Sequence, residues 1–372
     1  MPAKEIGLAT AAISAATMIV GLSKLGLDAG LVRYLPESKN KNGLYSTIVM
    51  VTLVLALVLT AVFMLGINIF SPALSFIRDG WFLPVFFVYI AVTSIYSFQN
   101  LAFISIRRAD LSLIQNLLLG ARIPILLLIA GLGVFGVFSS LGIALIMTFG
   151  FGVFVLRRYG LSFTIRFDID SIRKTLKFSL GNYSAGIFMM APVTIIPIMI
   201  VNTIGAEEGA YFYVAYSVAT ILIMIPNAVS TSLFVEGSHN RPLKENVLKS
   251  MKLILMLMVP AMILIFLFGD KLLLIFSKEY SEQAFEMLQL FAVSSIFSSV
   301  TSIYISIKNI QKDVRMLNYV SFVFSTLLIG IGYAALLEYG LVGLGFAWLG
   351  VNVIVCGSVV GIAIFKENYV KD

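Results

Sequence analysis

Arg157–Lys177 reads RRYGLSFTIRFDIDSIRKTLK. It is the one long polar interval in a chain otherwise built of apolar blocks. It carries Arg157, Arg158, Arg166, Arg173, Lys174 and Lys177 against only Asp168 and Asp170. On either side, blocks of roughly 20 apolar residues follow one another, the length a helix needs to cross the hydrocarbon core of a bilayer. The interval therefore reads as a strap between two membrane lobes. Its last third, Asp170–Lys177, predicts a short amphipathic helix. Asp170 caps it, Ile172 and Leu176 lie four apart on one face, and Arg173, Lys174 and Lys177 take the polar side. Such a helix lies on an anionic membrane surface; the same charges also serve as a solvated basic loop, and the two roles are compatible.

Composition extends this reading to the whole chain. Of 372 residues, 59% are hydrophobic and 12% charged, with a mean hydropathy of +1.00; a soluble domain carries roughly 25% charged residues. The expected class is an all-α polytopic membrane protein. The blocks are too long for barrel strands and lack their alternation. Eleven spans are expected, near 6–26, 44–70, 82–106, 113–135, 140–156, 180–203, 210–235, 250–268, 284–306, 316–337 and 341–365. The net charge of +7 is a matter of membrane orientation and not of nucleic-acid binding. The single Cys356 lies in an apolar block and the single His239 in a charged joint, so neither a cysteine nor a histidine metal site is expected. No nucleotide-binding loop is present, and no cofactor is expected.

Orientation follows from the joints. One set carries Arg33, Lys39, Lys41, Arg107, Arg108, the six cations of the strap, Arg241, Lys244, Lys249, Lys308, Lys312, Arg315, Lys366 and Lys371. The other carries only Lys4, Arg78, Lys271 and Lys278 among largely acidic residues. The first set is expected to be cytoplasmic, with the C-terminus, in a plasma or inner membrane. Met1 then falls outside, which the sequence accommodates most simply if one helix precedes this chain.

An internal repeat supports that arrangement. Ala16-Thr17 recurs as Ala219-Thr220, Leu141-Gly142-Ile143-Ala144 as Leu344-Gly345-Phe346-Ala347, and Ile104-Ser105-Ile106-Arg107 as Ile305-Ser306-Ile307-Lys308. Spans one to five thus map onto spans seven to eleven in the same orientation, and span 180–203 has no partner. The expected organisation is an N-terminal lobe over 1–156, the strap over 157–179 and a C-terminal lobe over 180–372. Parallel repeats of this kind occur in transporters, with the substrate site between them.

Arg122 is the sharpest functional candidate. An arginine deep in a span costs at least about 2.5 kcal/mol on insertion scales, so it should face the protein interior or water and bind an anion there. The alternative is pairing with a neighbouring helix. Pro124 follows and can kink the helix. Gln99, Asn100, Asn182 and Tyr183 are candidates to line the same cavity, their amides and rings suiting sugar; interhelical hydrogen bonding is the competing role. Arg33 either binds a phosphate arriving from the cytoplasm or anchors its helix at the headgroups, while Lys24 and Asp28, four apart, would pair. Pro192, Pro197 and Pro226 are candidate hinges, or sites of static curvature. The hydroxyl run from Ser294 to Ser302 reads as a packing surface.

Two stretches carry a family resemblance. Gly7-Leu8-Ala9 through Gly26-Leu27-Asp28-Ala29-Gly30-Leu31-Val32-Arg33-Tyr34-Leu35-Pro36 resembles the second helix and following joint of polysaccharide flippases. Gly205–Ala215, GAEEGAYFYVA, continuing to Ile225–Phe234, IPNAVSTSLF, resembles their seventh-to-eighth helix region. These are the O-antigen (Wzx-type) flippases of the multidrug/oligosaccharidyl-lipid/polysaccharide exporter superfamily. The resemblance implies a V-shaped, two-lobed architecture like that of the multidrug exporters. It implies transport, not enzymatic catalysis: polyprenyl-diphosphate-linked oligosaccharide moves from the cytoplasmic to the outer leaflet by alternating access. The implied partners are that lipid-linked sugar, membrane lipids, and polysaccharide polymerase or assembly proteins. A cation-coupled drug or metabolite exporter of the same superfamily is the alternative, disfavoured by the lack of acidic residues near the midplane. A membrane sugar polymerase or ligase is a remoter one, disfavoured by short external joints.

Overall fold

The computed structural model describes residues 2–36, 38–164, 169–237, 243–311 and 313–369. Side chains are described for these except residue 130 and the segments 165–182, 234–244 and 365–369. The described chain is helical, in the order α1 (Ala3–Ser23), α2 (Leu27–Tyr34), α3 (Lys41–Leu65), α4 (Ile67–Phe70), α5 (Phe82–Ser105), α6 (Ala109–Leu119), α7 (Arg122–Ile129), α8 (Gly133–Arg158), α9 (Ile169–Thr203), α10 (Ala206–Gly237), α11 (Leu243–Leu274), α12 (Lys278–Ile310) and α13 (Val314–Tyr369). Among the described residues ten helical stretches are long and apolar enough to cross a membrane. The last of them is two spans joined at Gly340, where φ is 64° and ψ −149°, so the eleven expected spans are present.

The chain forms two compact units, Met1–Asn202 and Thr203–Asp372. Five spans of the second start where five of the first would predict. Ala3 pairs with Ala206, Lys41 with Leu243, Phe82 with Lys278 and Ala109 with Val314; Gly133 pairs with Leu341, just past Gly340. The fifth span begins at a left-handed glycine in the first half and just after one in the second, Gly133 at φ 62° and Gly340 at φ 64°, a conformation glycine adopts without steric cost. In the first unit α5 packs against α1, α3, α6 and α8; in the second α12 packs against α10, α11 and α13. Helix α1 packs through small buried residues, Gly7, Ala9, Ala11, Ala12, Ala15 and Ala16, which let backbones approach where lipid gives no hydrophobic drive. On α12 the buried hydroxyls of Ser294, Ser295 and Ser299 bond their own helix's carbonyls at 2.6–2.7 Å, as a packing surface requires.

Three expectations change. The helix expected over Asp170–Lys177 is no separate surface helix: α9 runs unbroken from Ile169 through the span to Thr203. Only Gly181 interrupts a run of helix-compatible residues there, too little to end a helix. The fourth span begins at Ala109 and not near 113, because Asp110 enters the first turn with its carboxylate on Arg108 at 2.6 Å. That span is also broken. Pro124 has no N–H and its ring crowds the carbonyl four residues back, that of Gly120, and the chain turns through Gly120 and Ala121 between α6 and α7.

The end of α9 packs with the first unit. Asn202 Oδ1 accepts hydrogen bonds from Ser71 Oγ and the Ala73 N–H, both at 3.2 Å. At the other end of the span, the Tyr183 hydroxyl donates to the Leu22 carbonyl.

Candidate functional site

The site grows from an interruption at the end of α1. Leu25 at φ 50° and Gly26 at φ 71° are both left-handed; glycine takes this readily, while leucine does so only when its surroundings hold it there. The chain turns into α2, whose Leu27 and Leu31, with Leu35 just after it, are fully buried at four-residue spacing among Leu44, Ile48, Phe98 and Phe103. With that stripe fixed in the core, the opposite face of α2 presents Asp28, Ala29, Val32 and Arg33 to a cavity of about 650 Å³. Its other walls are Gly21 and Lys24 from the end of α1, Leu101 of α5, and Tyr183, Gly186, Ile187 and Met190 of α9. Its size is that of a small-molecule site. Gly26, Ala29 and Gly186 line it without filling it.

Among the described residues its charged groups are two cations, Lys24 and Arg33, and one carboxylate, Asp28. Because the helix breaks between them, Lys24 and Asp28 do not share a helical face. Asp28 Oδ1 instead accepts the Ala29 N–H at 2.9 Å. Burial holds the Lys24 ammonium below the ordinary lysine value of 10.5, with the Asp28 charge opposing the shift. The Arg33 guanidinium lies 5.8 Å from the centre of the Tyr34 ring. A cavity with a net positive charge, low polarity elsewhere and an aromatic wall suits an anionic group attached to a larger body.

Of the residues singled out in the sequence, Arg33 and Tyr183 meet here. The side chain of Asn182 lies outside the described residues. Gln99 and Asn100 do not line this cavity; they belong to a buried amide network between α5, α6 and α8. Gln99 Nε2 donates to the Phe149 carbonyl at 3.2 Å, Gln115 Nε2 to Gln99 Oε1 at 3.1 Å, and Ser112 Oγ to Asn100 Oδ1 at 3.0 Å. Gln115, wholly buried, is a member that the sequence pattern does not single out. Arg122, expected to face the interior or a water-filled cavity, is exposed at the start of α7, thirteen residues or about 20 Å into a span that is the least buried of the ten. Pro192 and Pro197 lie within a continuous α9 and Pro226 within α10, so none breaks its helix; Pro260 of α11 is a further one. Among the described residues no cluster of acidic, histidine or cysteine side chains is arranged to hold a metal.

Comparison with known proteins adds the wider frame. The family described as "Polysaccharide biosynthesis protein" matches residues 7–284. No curated protein matches the chain at a significant level. Among solved structures, an inward-facing multidrug resistance transporter of the MATE family and MOP superfamily superposes with a TM-score of 0.73 at 17% identity, covering 99% of this chain and 94% of that one. The MATE multidrug transporter DinF-BH gives 0.66 at 16%, covering 98% and 88%. A MOP-superfamily transporter from Pyrococcus furiosus gives 0.65 at 14%, covering 99% and 88%. At these identities the likeness is one of fold.

Proposed function

The chain belongs to the polysaccharide biosynthesis protein family, and we propose that it is a transporter, not an enzyme, which carries polyprenyl-diphosphate-linked oligosaccharide across the plasma membrane. The sugar is delivered from the cytoplasmic to the outer leaflet by alternating access. The observation that carries this reading is the cavity at the junction of α1 and α2, with its two cations. Lys24 and Arg33 receive the diphosphate as it leaves the cytoplasmic leaflet, through charge-assisted hydrogen bonds. Tyr183 offers a ring face to the first sugar, and Asp28, an acceptor only, takes hydroxyl donors. The lipid tail remains in the bilayer. Pro192, Pro197 and Pro226 weaken their helices where a moving span would bend.

Pocket polarity is the property to compare within this fold: for the Pyrococcus furiosus protein, reversed polarity of the binding pocket suggests a different function. The second reading, a cation-coupled exporter, draws on Asp28, the one carboxylate lining the cavity among the described residues. Two cations outweigh it there, which favours an anionic substrate. In cells lacking the gene, lipid-linked oligosaccharide is expected to accumulate in the cytoplasmic leaflet with loss of surface glycan. Normal delivery to the outer face, with a small solute retained instead, would favour the exporter.

The cavity also sets a pH dependence. A bound dianion restores the charge that burial disfavours, raising the Lys24 pKa above its empty-cavity value. Affinity is then full below the empty-cavity pKa, which lies under 10.5, and falls as pH rises through it toward the bound value. Lys24→Arg, which does not titrate there, is expected to flatten the profile. Titrating a fluorescent prenyl diphosphate from neutral pH to about 10.5 checks this; an equal fall in both proteins would remove Lys24 from the site.

A further inference from the structure

A second basic feature stands apart from the cavity, on α8. The buried side of this helix carries Thr148, Gly152, Val155 and Leu156. Its exposed side carries Phe149, Gly150, Val153, Phe154, Arg157 and Arg158, which border a groove of about 570 Å³. Phe154 is 56% exposed, and the Arg158 guanidinium lies over its ring, 4.4 Å from the centre. Among the described residues no carboxylate lies within ion-pair distance of Arg157 or Arg158. The neighbouring Arg108, by contrast, is engaged: its guanidinium meets Asp110 at 2.6 Å and donates to the Tyr159 hydroxyl.

The order along the helix matters. Two guanidinium groups stand at the end of the span, two apolar side chains lie one turn inward, and Phe149 and Gly150 lie two turns inward, about 10 Å from Arg157 at the helical rise. At Gly150 a side chain would meet nothing within 4 Å, so the glycine leaves a notch in the helix face. Charge at the boundary and an apolar notch toward the membrane interior match one amphiphile, a phosphate head with an alkyl chain.

We propose that this face of α8 is a binding site for one anionic phospholipid of the surrounding bilayer, with its headgroup phosphate on Arg157 and Arg158 and an acyl chain along Val153 and Phe154 into the Gly150 notch. The chemistry is that of basic segments that recognise anionic headgroups at membrane boundaries, made specific by the notch. A free phosphate uses only the two arginines, whereas a lipid uses both parts. The site does not depend on what the protein transports.

The test is the thermal unfolding of the full chain in detergent with added phosphatidylglycerol, phosphatidylcholine or inorganic phosphate. Phosphatidylglycerol is expected to raise the midpoint by about 3–5 °C and phosphatidylcholine by much less. The Arg157→Gln/Arg158→Gln variant is expected to lose most of that rise. Gly150→Leu, which fills the notch without altering charge, is expected to lose a large part of it, with the lipid-free midpoint of each variant near that of the wild type. Arg78→Gln, which removes a cation elsewhere, is expected to keep the full rise. Equal rises from both lipids, or a phosphatidylglycerol rise undiminished in both site variants, would overturn the proposal. So would inorganic phosphate alone reproducing the rise, which would reassign the arginines to a free anion.

Discussion

Replacing Lys24 and Arg33 together by glutamine is expected to lower transport of the lipid-linked oligosaccharide by about a hundredfold or more. In the proposed mechanism each cation supplies a charge-assisted hydrogen bond to the diphosphate, worth roughly 1.5–3 kcal/mol, and about 1.4 kcal/mol is a factor of ten. With both removed, Asp28 remains as the only charge on the cavity wall among the described residues, and in the proposed mechanism it repels the substrate. Folding should survive, because α2 is held by Leu27, Leu31 and Leu35 on its far side. Either single variant should lose less than the pair. The readout is surface glycan in cells carrying the variant as the only copy, normalised to protein in the membrane. Wild-type glycan from the double variant would move the anion site elsewhere, with Arg122 the first place to look.

The largest stability effect is expected at Gly152. The backbone of α8 passes close to the amide network there: a side chain would overlap the Gln99 carboxamide and stand 2.8 Å from Gln115 Nε2. Both glutamines are buried, Gln99 at 1% and Gln115 at 0% exposure, so neither can swing out to solvent. Gly152→Val therefore overpacks the contact, at about 1–3 kcal/mol, and strands at least one amide group, at about 1–3 kcal/mol more. The loss expected is about 3 kcal/mol, since the unfolded chain in a membrane also finds polar partners. Gly152→Ala should lose less. Unfolding in detergent measures both; a valine variant as stable as the wild type would mean that α5, α6 and α8 are not joined through these amides.

The spans were legible because twenty-residue apolar blocks are a coarse feature that survives local error. The repeat was legible because its offset repeated at charged joints, and the starts of α1 and α10 now carry it. The cavity was only half legible. Arg33 and Tyr183 were named, but Lys24 and Asp28 were read as partners on one helical face. That inference assumed a continuous helix, and Gly26 was the available hint that Leu25 and Gly26 would break it. The cost of charge in lipid points Arg122 to the interior or to water, and the structure has it exposed at the start of α7, outside the cavity lining. Gln99 and Asn100 were legible as polar and not as paired, because Gln115 stands sixteen residues from Gln99, on another helix. Side-chain partners across helices are set by tertiary packing, which single-chain periodicity does not contain.

We propose that this chain moves a lipid-linked oligosaccharide between leaflets. The most direct measurement is on purified protein in sealed vesicles loaded with polyprenyl-diphosphate oligosaccharide in both leaflets, with a membrane-impermeant glycosidase added outside. Vesicles without protein should lose only the outer half of the sugar. Vesicles with the protein should lose nearly all of it, and those with the Lys24→Gln/Arg33→Gln variant little more than half. Protection of the inner half in the presence of folded wild-type protein would contradict the account.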